Sequence, residues 1–245
     1  MLRLGLSWIN HFDTAVIQFF DLFADKSATF NVLVRDIGDS DLLKGGLFMV
    51  FFWWAWFGSK SDAVARRRYI VLSIIAALAV VLAARILQLT LPFHDRPLYA
   101  AANFVMPVGV DPANLSHWSS LPSDHAALFF ALSLAVWYEM RMLGYLAMVW
   151  TFVIVCLPRI YLGYHYASDI IAGAILGFVM MAAFQHYLHN WKLTERIVQW
   201  ETGHRALFYG LAFFVTYETT ILFYDVRQLI GDSMHVVKAV LVALA

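Results

Sequence analysis

Charge is scarce in this sequence, and what there is cancels: 14% of the 245 residues are charged, with 17 acidic against 17 basic side chains. A zero balance removes the usual grounds for a nucleic-acid partner or a long-range steering field. Cysteine occurs once, at Cys156 within an apolar run, so no internal disulfide can form and the residue says little about redox compartment. Proline is nearly confined to one place, since five of the six lie between residues 92 and 122. No cleaved leader is read at the N-terminus, because Asp13 and Asp21 interrupt any apolar stretch after Arg3, so the first residues are expected to stay. Internal repeats, low-complexity tracts and domain-sized linkers are also lacking.

Hydrocarbon is what the sequence has instead: 62% of its residues are hydrophobic, well above a soluble domain's share. Six stretches approach the roughly 20 apolar residues that a spanning helix needs. They are residues 43–58, 69–91, 124–140, 143–162, 166–188 and 205–224. The first is short but carries Phe51, Phe52, Trp53, Trp54 and Trp56, aromatics suited to a membrane interface. Ahead of it, Ile9, Phe12, Val16, Phe19, Phe20 and Phe23 share one helical face, with Asp13, Gln18 and Asp21 on the other. That segment reads as a helix lying on the membrane surface, or as an ordinary surface helix packed on the bundle. The expected fold is therefore all-α, a polytopic membrane helical bundle with about six transmembrane helices and an N-terminal interfacial amphipathic helix. It forms a single domain over residues 1–245, with residues 1–42 as the interfacial region and 70–190 as the catalytic core.

Lys60, Arg66, Arg67, Arg68, Arg141, Lys192, Arg196 and Arg205 fall in the connections after spans one, three and five, which the alternation of spans puts on one side. By the positive-inside rule that side is cytoplasmic, although Arg3, Lys26, Arg35 and Lys44 precede span one and would lie opposite. The long segment 92–122, with Arg96, Asp111, His117 and Trp118, then faces the periplasm or the exterior. A loop of that length is more often functional than a mere connector.

Three polar clusters meet on that face: Arg96-Pro97 after span two, "PSDH" at 122–125 opening span three, and "PRIYLGYHYASD" at 158–169 linking spans four and five. Ionisable groups beside spanning helices are costly, and five of them converging from separate segments point to a site. Arg96 and Arg159 offer planar forks that match phosphate oxygens, with lipid-headgroup anchoring as their simpler use. Ser123 at a helix start can cap it or complete an anion site. His165 and Asp169, four apart, lie one turn from each other, so the carboxylate can orient an imidazole nucleophile. His125, from another helix, suits a general acid. Two histidines and an aspartate can also bind metal, but the arginines would repel a divalent cation and no third His or Cys ligand is evident.

This constellation resembles the type 2 phosphatidic acid phosphatase superfamily of membrane lipid phosphatases, whose motifs are Lys, six residues, Arg-Pro; Pro-Ser-Gly-His; and Ser-Arg, five residues, His, three residues, Asp. The resemblance covers roughly residues 70–190, and the spacing of Arg159, His165 and Asp169 is its most specific part. It implies that His165 attacks phosphorus, His125 protonates the leaving group and Asp169 orients His165. Arg96, Ser123 and Arg159 would hold the phosphate, with no cofactor or metal required. Three positions depart from the pattern. Leu89 stands where lysine is expected, with His94 favoured over Arg85 as a substitute phosphate contact. Asp124 replaces glycine, placing a carboxylate at the phosphate site, and Pro158 replaces serine. The variants resemble a bacterial branch of the superfamily.

The expected activity is removal of phosphate from a membrane lipid (pyro)phosphate, first a polyprenyl diphosphate such as undecaprenyl diphosphate. Phosphatidylglycerol phosphate, phosphatidic acid and lipid A phosphates come next. A lipid phosphotransferase using the same phosphohistidine, and a non-catalytic polyprenyl-phosphate binding or transport protein, are the alternatives. The expected location is the bacterial inner membrane with the site facing outward. Gly173 and Gly177 are expected to let a neighbouring helix approach closely within the bundle.

Overall fold

The computed structural model describes residues 2–24, 26–58, 62–100, 104–107 and 118–226, with backbone alone over 2–10. Of the features above, Lys60, Asp111 and His117, and the side chains of Arg3 and Ile9, lie outside what is described.

Among the described residues every regular element is helical. The chain runs through α1 (Leu2–Ala24), α2 (Ala28–Asp39), α3 (Leu47–Gly58), α4 (Ala63–Thr90), α5 (Pro97–Ala100), α6 (Asp124–Glu139), α7 (Arg141–Trp150), α8 (Leu157–Tyr161), α9 (Ala167–Tyr187), α10 (Lys192–Gly203) and α11 (Arg205–Thr220). A π-helical turn at Leu42–Gly46 leads into α3, and another at Thr151–Cys156 joins α7 to α8 in one rod, Arg141–Tyr161. The second π turn immediately precedes Pro158, whose missing N–H cannot close the usual bond to the carbonyl four residues back.

Three helices are long and apolar enough to cross a membrane: α4, the rod Arg141–Tyr161 and α9. The other three expected spans coincide with shorter helices, the apolar Leu42–Gly58 and the 16-residue α6 and α11. Sixteen helical residues reach only about 24 Å, less than the hydrocarbon thickness of roughly 30 Å. Two stretches depart from the sequence reading. Helix α4 begins at Ala63, because Arg66, Arg67 and Arg68 are good helix formers and continue it outward. The stretch read as a connection after span five is helical as α10, with Thr194, Val198 and Glu201 buried along one face.

Helix α6 is the centre of the bundle. Ala126, Ala127, Leu128, Phe129, Ala131, Leu132 and Ala135 are fully buried among α4, the rod and α9. Small side chains let the backbones close up, most of all against α9: a Cβ on Gly173 would stand 2.3 Å from the Ser123 carbonyl oxygen, and one on Gly177 2.2 Å from that of Ala127. Neither neighbour is a flexible side-chain end, so an added methyl must push the helices apart. Gly177→Ala is expected to cost about 1–3 kcal/mol or more, read as a lowered unfolding midpoint in detergent; an unchanged midpoint would remove this account of the α6–α9 contact.

The two ends of the bundle differ in character. At one, Arg66 pairs with Glu139 and Arg67 with Glu201, each at 3.1 Å. Nearby, Phe52, Trp56, Ile70, Trp200 and Phe208 help line an apolar cavity of about 360 Å³ with no ionisable group in its wall. The aromatics of 51–56 therefore divide: Phe52 and Trp56 are core residues, while Trp54 is exposed. The opposite end gathers the polar segments.

Candidate active site

Five pieces of chain meet at that end: the last turns of α4, the segments 92–96 and 118–123, the start of α6, and the turn from α8 into α9. Backbone bonds fix their relative positions. The Ser120 N–H donates to the His94 carbonyl at 2.9 Å, the Ser123 N–H to the Asp169 carbonyl at 3.1 Å, and the Leu98 N–H to the Gly163 carbonyl at 3.1 Å. Gly163 has φ +72°, and a Cβ there would meet the Phe104 ring at 2.4 Å, so the turn that presents His165 requires glycine.

His165 is buried, and its Nδ1 lies 3.0 Å from the Ser120 carbonyl oxygen. A carbonyl only accepts, so Nδ1 carries the hydrogen and the lone pair is left on Nε2. Asp169 Oδ2 is farther away, 3.7 Å from Nδ1, a charge contact rather than a hydrogen bond. That oxygen accepts the Tyr166 N–H at 2.8 Å, which closes the first turn of α9. Burial holds the His165 imidazole below the usual histidine range, and Asp169 partly restores it.

The other carboxylate oxygen of Asp169, Oδ1, stands 3.2 Å from His94 Nδ1 but makes no aligned hydrogen bond. His94 Nδ1 also lies 2.8 Å from the Ser120 hydroxyl. The contact with Asp169 raises His94 above the usual histidine range, against the opposing effect of partial burial.

His125 faces the site from α6. Its Nδ1 is 2.9 Å from Asp124 Oδ1, which also accepts the His125 N–H at 2.8 Å. Its Nε2 is 2.6 Å from Arg159 Nη2, a guanidinium donor, so the lone pair is on Nε2 in this state. Arg96 Nη1 donates to the Tyr164 carbonyl at 2.7 Å. Each guanidinium keeps one buried donor without a partner, Arg96 Nε and Arg159 Nε. Desolvation lowers the basicity of Arg96, an ordinary consequence of burying a cation. Ser123 is buried and caps α6, accepting the Ala126 N–H at 3.4 Å.

All eight site residues read from the sequence thus lie at one end of the bundle. Their partners, however, do not all follow the expected assignments. Leu89 is 72% exposed and contributes no polar group to the cluster. Arg85, one turn earlier, forms a close ion pair with Asp124 Oδ2 and packs over the Trp118 ring at 5.2 Å. Asp124 consequently has both oxygens engaged, by Arg85 and by His125. His94 contacts Asp169 and Ser120. The Ser120 carbonyl escaped sequence reading, because a main-chain acceptor leaves no side-chain signature.

Asp13 escaped for another reason. The sequence shows it only as part of the polar face of the N-terminal helix, yet it is 4% exposed, accepting the Ser168 N–H at 2.9 Å and the Ser168 hydroxyl at 2.6 Å. It serves the first turn of α9 from another helix, and desolvation raises its carboxyl above the usual range. Among the described residues no group of three or more His, Cys, Asp or Glu has an arrangement that would hold a metal ion.

The PAP2 superfamily profile matches residues 92–193, the span from the segment bearing His94 through α9. A protein of Escherichia coli strain K12 provisionally named as an undecaprenyl-diphosphatase, YbjG, is 30% identical over 151 residues, covering 60% of this chain and 69% of the relative. The chain belongs to the PAP2 superfamily. It is also 27% identical to lipid A 1-diphosphate synthase of the same strain over 191 residues, 71% of this chain and 78% of the relative. To the bacitracin transport permease protein BcrC of Bacillus licheniformis it is 41% identical over 66 residues, 27% of this chain and 32% of the relative. No solved structure matches it. By this membership the chain is a membrane enzyme, a phosphatase acting on lipid phosphates.

Proposed function

We propose that the enzyme removes the terminal phosphate from a polyprenyl diphosphate of undecaprenyl type, through a phosphohistidine on His165. The observation that carries this reading is the pair of buried, unpartnered Nε–H donors on Arg96 and Arg159, beside two histidines with lone pairs on Nε2. Buried donors without acceptors are rare and costly, and a phosphate dianion supplies the acceptors they lack. Ser123 and the first N–H groups of α6 add donors to the same anion site.

In this mechanism the Nε2 lone pair of His165 forms the N–P bond as the P–O bond to the lipid monophosphate breaks. His125 supplies a proton to the departing oxygen. Water then attacks the phosphohistidine as the N–P bond breaks and its electron pair returns to His165 Nε2; His125 takes up the water's proton, and inorganic phosphate leaves. Asp169 stabilises the ring of His165 electrostatically, while Ser120 holds its tautomer. No step is assigned to a metal or cofactor.

The enzyme is placed with the site at the outer face of the inner membrane, and with α3, α6 and α11 crossing as well as the three longer helices. Supporting that orientation, Arg66, Arg67, Arg68, Arg141, Lys192, Arg196 and Arg205 collect at the other end. Helix α1 is assigned to the interface. Its Asp13 meets the start of α9 while Phe20 packs on Tyr161 at the end of α8, so α1 runs across helix ends at the site end. Phe12, Phe19 and Leu22 remain exposed for lipid.

A second reading keeps the phosphohistidine and passes the phosphoryl group to a lipid or sugar hydroxyl; the similarity to a relative named as a synthase favours it. The test is phosphate release by the purified protein in detergent with chelator present, from farnesyl diphosphate, phosphatidic acid and phosphatidylglycerol phosphate. Release fastest from the diphosphate is expected. Turnover only when an acceptor lipid is added, with the acceptor phosphorylated, would replace hydrolysis by transfer. Binding without turnover would leave a transport or binding role.

A further inference from the structure

We infer that Asp124 and Arg85 form the positioning pair for the acid His125, so the loss of the motif lysine at Leu89 and the gain of aspartate at 124 act as one linked change. This rests on the phosphatase reading for what His125 does, but on the geometry alone for how His125 is held.

In the superfamily pattern, position 124 is glycine and position 89 is a cation. Here Leu89 is 72% exposed and supplies no cation. A cation is present one turn earlier, at Arg85, and it does not stand free to bind phosphate. It is committed to Asp124 Oδ2, to Gln88 Oε1 at 3.2 Å and to the Trp118 ring. Gln88 in turn donates to the Pro122 carbonyl at 2.8 Å, tying α4 to the segment that opens α6. Asp124 is 4% exposed, and a carboxylate so deeply buried keeps its charge only beside a cation. Arg85 is that cation.

With its charge secured, Asp124 uses Oδ1 to grip His125 twice, at the ring Nδ1 and at the backbone N–H. The grip fixes the tautomer, with hydrogen on Nδ1 and Nε2 turned to Arg159. The charged groups around His125 are Asp124 on its own helix, Arg85 through Asp124, Arg159 from α8, and Lys44 from the π turn before α3. Of these only Asp124 stabilises a protonated imidazole. When phosphate occupies the clamp, Arg159 turns its N–H to a phosphate oxygen and the freed Nε2 is protonated from water. That proton passes to the leaving oxygen as the P–O bond breaks, the bonding pair staying on oxygen, while the Nδ1 hydrogen remains with Asp124. His125 returns to its neutral form. Asp124 touches neither substrate nor reacting atoms, so it positions the acid rather than acting as one.

The experiment uses the full-length protein in detergent. Wild type, Asp124→Asn and Arg85→Leu are compared on phosphatidic acid, which expels an alkoxide and needs a placed acid, and on 4-nitrophenyl phosphate, whose leaving group departs with little help. Asp124→Asn is expected to slow the first by about 100-fold or more, with a much smaller loss on the second. Arg85→Leu is expected to show the same selectivity, and the double variant little further loss, because both act through one carboxylate. Equal losses on both substrates, or additive effects, would show a merely structural role and overturn the inference. Ring ¹⁵N NMR with labelled histidine, the His125 signal assigned by His125→Gln, reads the same point without turnover. Wild type is expected to show hydrogen on Nδ1 and Asp124→Asn to lose that preference; an identical signal in both overturns the inference. If wild type hydrolyses no substrate, the phosphatase reading fails and the NMR comparison still decides this one.

Discussion

Replacing His165 with alanine is expected to abolish phosphate release, lowering it by about 10⁴-fold or more, the scale seen when a covalent nucleophile is removed. No neighbouring group replaces it: His125 is fixed by Asp124 as the acid, and His94 is engaged with Asp169 and Ser120. His165 is 1% exposed, so the alanine variant leaves a hole, and its folding must be checked by its unfolding midpoint. His165→Gln, closer in volume, is the companion variant. Turnover retained in a folded His165→Gln protein would sink the phosphohistidine. The same residue sets the acid side of the pH profile. Because burial depresses its proton affinity below the usual value near 6.5, the neutral ring persists as pH falls through that value. The acid limb of kcat/KM is therefore expected below about pH 6.5; a limb well above it would mean that another group is being titrated.

The second large effect belongs to Arg159. Its guanidinium reaches His125 with one nitrogen, faces the Tyr164 ring at 5.8 Å and keeps Nε without a partner. Arg159→Gln is expected to lower kcat/KM by roughly 100- to 1,000-fold, the range for removing one donor to a developing oxyanion. Arg159→Lys keeps the charge but cannot reproduce the fork, so it should recover only part of the loss. Arg96→Gln belongs to the same experiment. Values within a few-fold of wild type for both glutamine variants would show that the phosphate sits elsewhere. The binding constant for inorganic phosphate, measured alongside, separates lost ground-state binding from lost transition-state stabilisation.

Much of the candidate site was legible in the amino-acid sequence. Arg159, His165 and Asp169 fall within one short stretch, where the turn out of α8 and the first turn of α9 leave little freedom in their relative placement. Helices α4, α9 and the rod were legible for a similarly local reason, since long apolar runs in lipid must satisfy their own backbone bonds and become helices. The polar partners were harder to read. Whether Asp169 or a carbonyl holds His165 depends on where segment 118–123 crosses the α8–α9 turn, and that crossing is set by backbone bonds between residues dozens of positions apart. The partner of Asp13 was not legible because helical periodicity names two faces and cannot say that the polar one meets the end of another helix.

The sequence by itself determined that this is a helical membrane protein and singled out two histidines, two arginines and an aspartate as its candidate site, because hydropathy and motif spacing are local properties. Membership of the PAP2 superfamily agrees with the family resemblance read from the sequence. Only the tertiary structure decided which groups hold which. It turned Leu89 outward, brought Arg85 to Asp124, and placed Ser120 against His165. It also put Gly173 and Gly177 against the backbone of α6. These pairings join residues far apart in the chain, and rotation of one helix by a single position would exchange Leu89 and Gln88 between lipid and core. That rotation is fixed by side-chain packing around α6, which no pattern along a single helix encodes.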